Sequence, residues 1–186
     1  MNRGKTTAVT LAAAALALSA CGTTTGAQAP SPATAQAVAA VTTATPASTP
    51  RCATGDLALS LGTMTQTAAG QDQVPLVYQN VSSHPCDLHG APGVDLAGPN
   101  DPAFGPTYSL PRVDDGPRSI VLAPGERGAA MLFLLQDGGW VPNEIVSIPP
   151  GQTTPLRVAW PFRFGVLRQD AATHPGTYVY GITALN

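Results

Sequence analysis

Residues Val74–Val94 read VPLVYQNVSSHPCDLHGAPGV. Val74, Leu76 and Tyr78 recur at every second position, the period of a half-buried strand, and the run ends at Asn80 before a polar turn. Cys86–Leu88 and Gly93–Ala97 follow as two further short strands, with the Gly90-Ala91-Pro92-Gly93 corner between them. Strand, turn, cysteine, corner, strand is the grammar of an all-β domain, and the segments on either side repeat it.

Upstream, Leu57, Leu59 and Leu61 alternate with Ala58 and Ser60, and Met64–Ala69 gives a weaker strand signal after Gly62. Downstream, Pro99–Gly105 and Val113–Pro117 are dense in turn residues and are expected to be loops. Ile120-Val121-Leu122 runs into the Ala123-Pro124-Gly125-Glu126 turn. Gly128–Leu135 (GAAMLFLL) is short and wholly apolar, which predicts a strand buried on both faces. Ile145–Ile148, Leu156–Trp160 and Thr177–Leu185 complete the set, and simple alternation puts Tyr178, Tyr180 and Ile182 on one face. About eight or nine short strands separated by Pro/Gly turns, with no amphipathic helix, predict an antiparallel β-sandwich over residues 51–186.

The remaining 50 residues have a different character. Asn2–Lys5 is a short basic region, Ala8–Leu18 is an apolar run too short to span a bilayer, and Leu18-Ser19-Ala20-Cys21 closes it. Small residues before a cysteine resemble a bacterial lipoprotein signal. That resemblance implies a signal peptide over residues 1–20, cleavage before Cys21 and lipidation of Cys21, so that acyl chains hold the protein at the outer face of the cell membrane. Gly22–Pro50 carries no charge and no aromatic ring, only Thr, Ala, Pro, Ser, Gln, Gly and Val. Such a composition buries too little surface to offset its ordering entropy, and residues 21–50 are expected to be a disordered stalk. As a coil it would set the domain roughly 30 Å from its anchor.

Charge narrows the partners. With Arg3 and Lys5 removed, seven basic residues, all Arg, face eleven acids. An acidic chain without Lys is unsuited to nucleic acid or to electrostatic adhesion on anionic lipid. The expected partners are the membrane, through the lipid on Cys21, and an envelope protein or glycan.

Assigning Cys21 to lipid leaves Cys52 and Cys86, which in an oxidising compartment form one disulfide or remain two free thiols. Cys52, the strand ending at Asn80, His84-Pro85-Cys86-Asp87-Leu88, Gly90-Ala91-Pro92-Gly93-Val94 and the later Leu122-Ala123-Pro124-Gly125-Glu126-Arg127-Gly128-Ala129 turn form one series. Together they resemble an actinobacterial family of exported, often lipid-anchored domains of unknown function, over about residues 52–185. The resemblance implies an immunoglobulin-like sandwich and a Cys52–Cys86 disulfide, and it brings no catalytic residues. Many relatives carry a second cysteine pair in the C-terminal half, which this chain lacks.

Chemistry-bearing motifs are sparse. His84, Cys86, Asp87 and His89 fall within six positions, but a bridged Cys86 cannot ligate zinc, and no metal or cofactor is expected. Asp114-Asp115-Gly116 reads as a turn rather than as opposed catalytic carboxylates. Ser82 and Ser83 beside His84 make no triad, and no nucleophile elbow, zincin or nucleotide-binding motif occurs. Asn80-Val81-Ser82 matches a glycosylation acceptor by coincidence. No catalytic residue is expected, and the chain is read as a non-enzymatic binding or interaction module, with a structural envelope component, or an enzyme built from dispersed loop residues, as the alternatives. The aromatic residues offer more: Trp160, with Phe162 and Phe164, is expected to plug the core. Trp140, in the loop after Asp137-Gly138-Gly139, either plugs the core or stands exposed, and in the second case is the candidate for contact with a ligand or partner.

Overall fold

A computed structural model describes residues 48–185, apart from 68, 114 and 117. The expected signal peptide, Cys21 and nearly all of the stalk lie outside the described residues, as does Asp114. The fold is an antiparallel β-sandwich. Its strands are β1 (Leu57–Leu61), β2 (Thr65–Gln66), β3 (Asp72–Asn80), β4 (Cys86–His89), β5 (Gly93–Asp101), β6 (Gly105–Ser109) and β7 (Ser119–Leu122). They continue with β8 (Arg127–Leu134), β9 (Gln136–Asp137), β10 (Glu144–Ile148), β11 (Leu156–Ala159), β12 (Gly165–Val166) and β13 (Tyr178–Ala184).

One sheet runs β1-β3-β8-β13, with β2 also on β3, and the other runs β11-β10-β5-β6. Alternation builds the core between them. Val74, Leu76 and Tyr78 from β3 and Ala130, Leu132 and Leu134 from β8 meet Val94, Leu96, Tyr108 and Ile145 of the facing sheet, all buried. The pair β4-β7 packs beside β13, and the pair β9-β12 holds the chain beside Trp140.

Asn80 is the junction of the opening stretch. Fully buried at the end of β3, it donates from Nδ2 to the carbonyls of His84 (2.8 Å) and Leu122 (2.9 Å). Its backbone N–H donates to Glu126 and its carbonyl accepts from Gly125. The two sequence motifs, around Cys86 and around Pro124, are thereby joined in space. Gly125 has φ +83° and Gly90 φ +99°, values that favour glycine, and each marks a corner where the chain leaves one strand pair for another.

Several strands depart from expectation. Among the described residues thirteen are present rather than eight or nine: β2 falls in the weak Met64–Ala69 signal, β6 lies outside the expected set, and β9 and β12 are two-residue pairings too short to show a period. Most of Pro99–Gly105 is not loop: β5 continues through Pro99 to Asp101, with a bulge after Ala97, before turning into β6. β8 is buried on both faces only at Gly128–Ala130, and Met131 and Phe133 are half-exposed on its outer side. Tyr178, Tyr180 and Ile182 do not share a face. A bulge between Val179 and Ile182 turns Ile182 inward beside Val179, both fully buried, and leaves the two tyrosines outside.

Candidate functional site

Cys52 and Cys86 are bonded, both fully buried. The bridge reinforces a local pairing in which Cys52 N–H donates to Asp87 and Asp87 N–H to Pro50. This disperses the His84–His89 cluster. The Cys86 sulfur is in the disulfide, Asp87 accepts a 2.5 Å hydrogen bond from the Ser119 hydroxyl, and His84 Nε2 lies 3.9 Å from Asp56. Among the described residues no three His, Cys, Asp or Glu side chains gather as a metal set. Ser82 turns its hydroxyl to the Asn80 amide oxygen (2.7 Å) and the His84 carbonyl, and Asp115 pairs with Arg118 at 2.6 Å.

Trp160 is buried, as expected, with Phe162 and Phe164 edge-on to it at 4.9 and 5.6 Å between ring centroids. Trp140 is different. It follows β9 and is half-buried in the wall of a cleft of about 390 Å³, shared with Asn100, Asp101, Phe104, Asp137 and Leu167. Its indole N–H donates to the Pro99 carbonyl at 2.8 Å, and its six-membered ring abuts Gly98, where a Cβ would come within 2.9 Å. The β5 bulge and a residue without a side chain therefore seat the indole. Phe104 and Leu167, 50% and 38% exposed, rise beside it.

The floor of this cleft is Arg168, whose side chain is only 4% exposed. Its guanidinium lies 4.8 Å from the Trp140 ring, 5.3 Å from Phe104 and 5.6 Å from Tyr108. Stacking of a guanidinium on several rings is favourable once water is excluded. Asp101, at the rim, accepts from the backbone N–H groups of Ala103 (2.8 Å) and Phe104 (3.0 Å), which hold its carboxyl below the usual range and keep it ionised. With Asp137 exposed and the one lining cation buried, the mouth is apolar and negatively charged. Trp140 was legible as a candidate; Phe104, Leu167 and Arg168 were not, because they reach the cleft from turns distant in sequence.

A broader concavity, about 560 Å³, lies on the outer face of β8 and β13. Phe133 and Tyr178 stack there at 4.8 Å, with Tyr180 edge-on to both. Those rings chiefly cover one another, and the adjoining Arg118 and Asp115 are paired.

A family model described as a domain of unknown function (DUF4232) matches residues 52–179. The chain belongs to this family. The DUF4232 domain thus begins at the first cysteine of the disulfide and includes the Trp140 cleft. No curated protein matches the chain. Among solved structures, DesR, a beta-glucosidase from Streptomyces venezuelae in complex with D-glucose, is similar at 15% identity and a TM-score of 0.27. That match covers 56% of this chain and 15% of the glucosidase chain, so this chain spans a small part of that enzyme's length.

Proposed function

We propose that this chain is a lipid-anchored, extracytoplasmic binding module without catalytic activity, which engages an envelope protein or glycan through the cleft beside Trp140. The Asn2–Cys21 leader, with small residues before the cysteine, supports the anchor. The Trp140 cleft supports the binding role: it places two exposed apolar side chains, Phe104 and Leu167, beside an indole and two carboxylates in one concavity. A mainly apolar pocket with a few convergent polar groups is the form that ligand sites take. Asp115 is tied to Arg118, Asp87 to Ser119 and Asp72 to Gln136, which supports a structural rather than a catalytic use of these carboxylates.

The test is a photo-crosslinking residue placed at Phe104 in the full chain, illuminated in the intact envelope. The expected result is a discrete adduct that is absent when the same residue replaces Val121, which is 54% exposed elsewhere on the surface. Equal, diffuse labelling from both positions would refute the assignment of the cleft.

A further inference from the structure

The strand β6 is the outer strand of the four-stranded sheet, paired with β5 on one side. An outer strand presents a row of unpaired backbone groups to any passing strand, and proteins commonly guard it with charged side chains. β6 reads Gly-Pro-Thr-Tyr-Ser and has no charge of its own. Its guard comes from elsewhere in the chain. Arg168 donates from Nη1 to the Gly105 carbonyl at 2.6 Å and from Nη2 to the carbonyls of Thr107 (2.7 Å) and Phe104 (3.0 Å). Gly105 and Thr107 are two apart, so their carbonyls lie on the same side of the strand, away from β5. Asp170 holds the other side of the guanidinium, through Nε at 3.1 Å and Nη2 at 2.7 Å.

We infer that Arg168 keeps a latent strand-pairing edge closed. With the guanidinium in place β6 offers no free row of acceptors; without it, β6 pairs antiparallel with β6 of a second copy of this chain. The second copy is the occupant that the edge itself favours. Two antiparallel copies of one strand are related by a two-fold axis, which makes the contact self-complementary. Pro106, Thr107 and Ser109 are exposed and uncharged, so the strand itself sets no like charges opposite one another, and the Asp170 carboxylate lies on a neighbouring segment rather than on β6. Pro106 falls where the β5–β6 register is interrupted between Ala97 and Asp101, so its missing N–H leaves the outer row intact. The inference is independent of what the Trp140 cleft binds.

The experiment compares the full chain with Arg168→Ala and with Arg168→Ala/Thr107→Pro in detergent micelles, by light scattering that separates protein from detergent mass. The expected protein mass is one chain for the parent, rising toward twice that with concentration for Arg168→Ala, and one chain again for the double variant. Proline at 107 removes an N–H from the outer row without touching the ladder to β5. A folded Arg168→Ala that stays monomeric, or an association that persists with Thr107→Pro, overturns the inference. Should Arg168→Ala not fold, Arg168→Lys takes its place, because it keeps the charge facing Asp170 but loses the planar fork, and the same outcomes apply.

Discussion

The Tyr78 phenol meets the Ser147 hydroxyl at 2.5 Å, joining β3 of one sheet to β10 of the other inside the core. Ser147 also reaches the Gly93 carbonyl at 3.2 Å, so the contact ties the opening strand to the corner that ends the Val74–Val94 stretch. Burial raises the Tyr78 phenol above its ordinary range, and the Ser147 hydrogen bond only partly offsets this. A raised native value means that both states hold the proton below about pH 10, whereas above it the unfolded chain ionises first. Stability should therefore fall with rising pH above about 10, by at most about 1.4 kcal/mol per unit from this group. Tyr78→Phe should cost about 1–2 kcal/mol at neutral pH and flatten the alkaline decline. Urea titrations at pH 8 and pH 11 check this, and equal alkaline slopes in the two proteins would contradict it.

The Cys52–Cys86 bridge closes a loop with a sequence separation of 34 residues. On the chain-entropy model that constraint contributes about 4 kcal/mol. The double substitution Cys52→Ser/Cys86→Ser should lower the melting temperature by roughly 10–20 °C for a domain of this size. Thermal unfolding followed by circular dichroism measures the change, and a shift of only a few degrees would show that the β4 pairing holds residues 50–52 in place unaided.

Asn80 uses its amide wholly inside the fold, toward His84, Leu122 and Ser82. Asn80→Ala should cost roughly 2–4 kcal/mol, since it leaves the Leu122 carbonyl without its side-chain donor and the Ser82 N–H without its acceptor, while the His84 carbonyl keeps the Ser82 hydroxyl. For the same reason the Asn80-Val81-Ser82 sequon should stay unmodified when the folded chain passes through a glycosylating host. Intact mass spectrometry that found a glycan at Asn80 would argue against this burial.

The anchor is tested separately from the domain. A single acyl chain holds a protein only marginally, whereas two or three hold it stably. Cys21→Ser removes the sulfur that would carry the diacylglycerol, and with it two of the acyl chains, while leaving the Cys52–Cys86 pair untouched. In membranes of an expressing bacterium the parent should incorporate labelled palmitate and sediment with the envelope, and Cys21→Ser should do neither. Incorporation of label into Cys21→Ser would defeat the lipoprotein assignment.

The sandwich was legible because β3 keeps period two along its whole length: every inward residue from Asp72 to Asn80 is buried. The two misplaced segments share one cause. Alternation carries no information across a bulge, so Ile182 was placed with Tyr180 although one irregularity turns it inward. The same holds for β5, whose bulge after Ala97 hid the strand that seats Trp140. The site fared similarly. A tryptophan in a glycine-rich loop is visible in one dimension, but Arg168 is defined by three carbonyls about 60 positions earlier, and nothing in its own neighbourhood indicates them.

Gly98 gives the sharpest handle on the cleft. A methyl group there would come within 2.9 Å of the Trp140 ring and 3.1 Å of the Pro142 backbone. The indole is the more mobile of the two, so Gly98→Ala should displace Trp140 and strain its bond to the Pro99 carbonyl. Moving the ring also draws it from the Arg168 guanidinium at 4.8 Å and opens the cleft to water. The expected cost is about 1–3 kcal/mol, typical of overpacking. Tryptophan emission should shift to the red, and Trp140→Phe in the same background should abolish the shift, since Trp160 remains in the core. A loss of the Phe104 crosslink in folded Gly98→Ala would connect ring position to binding. An unshifted emission spectrum in folded Gly98→Ala would mean that Gly98 does not seat the indole.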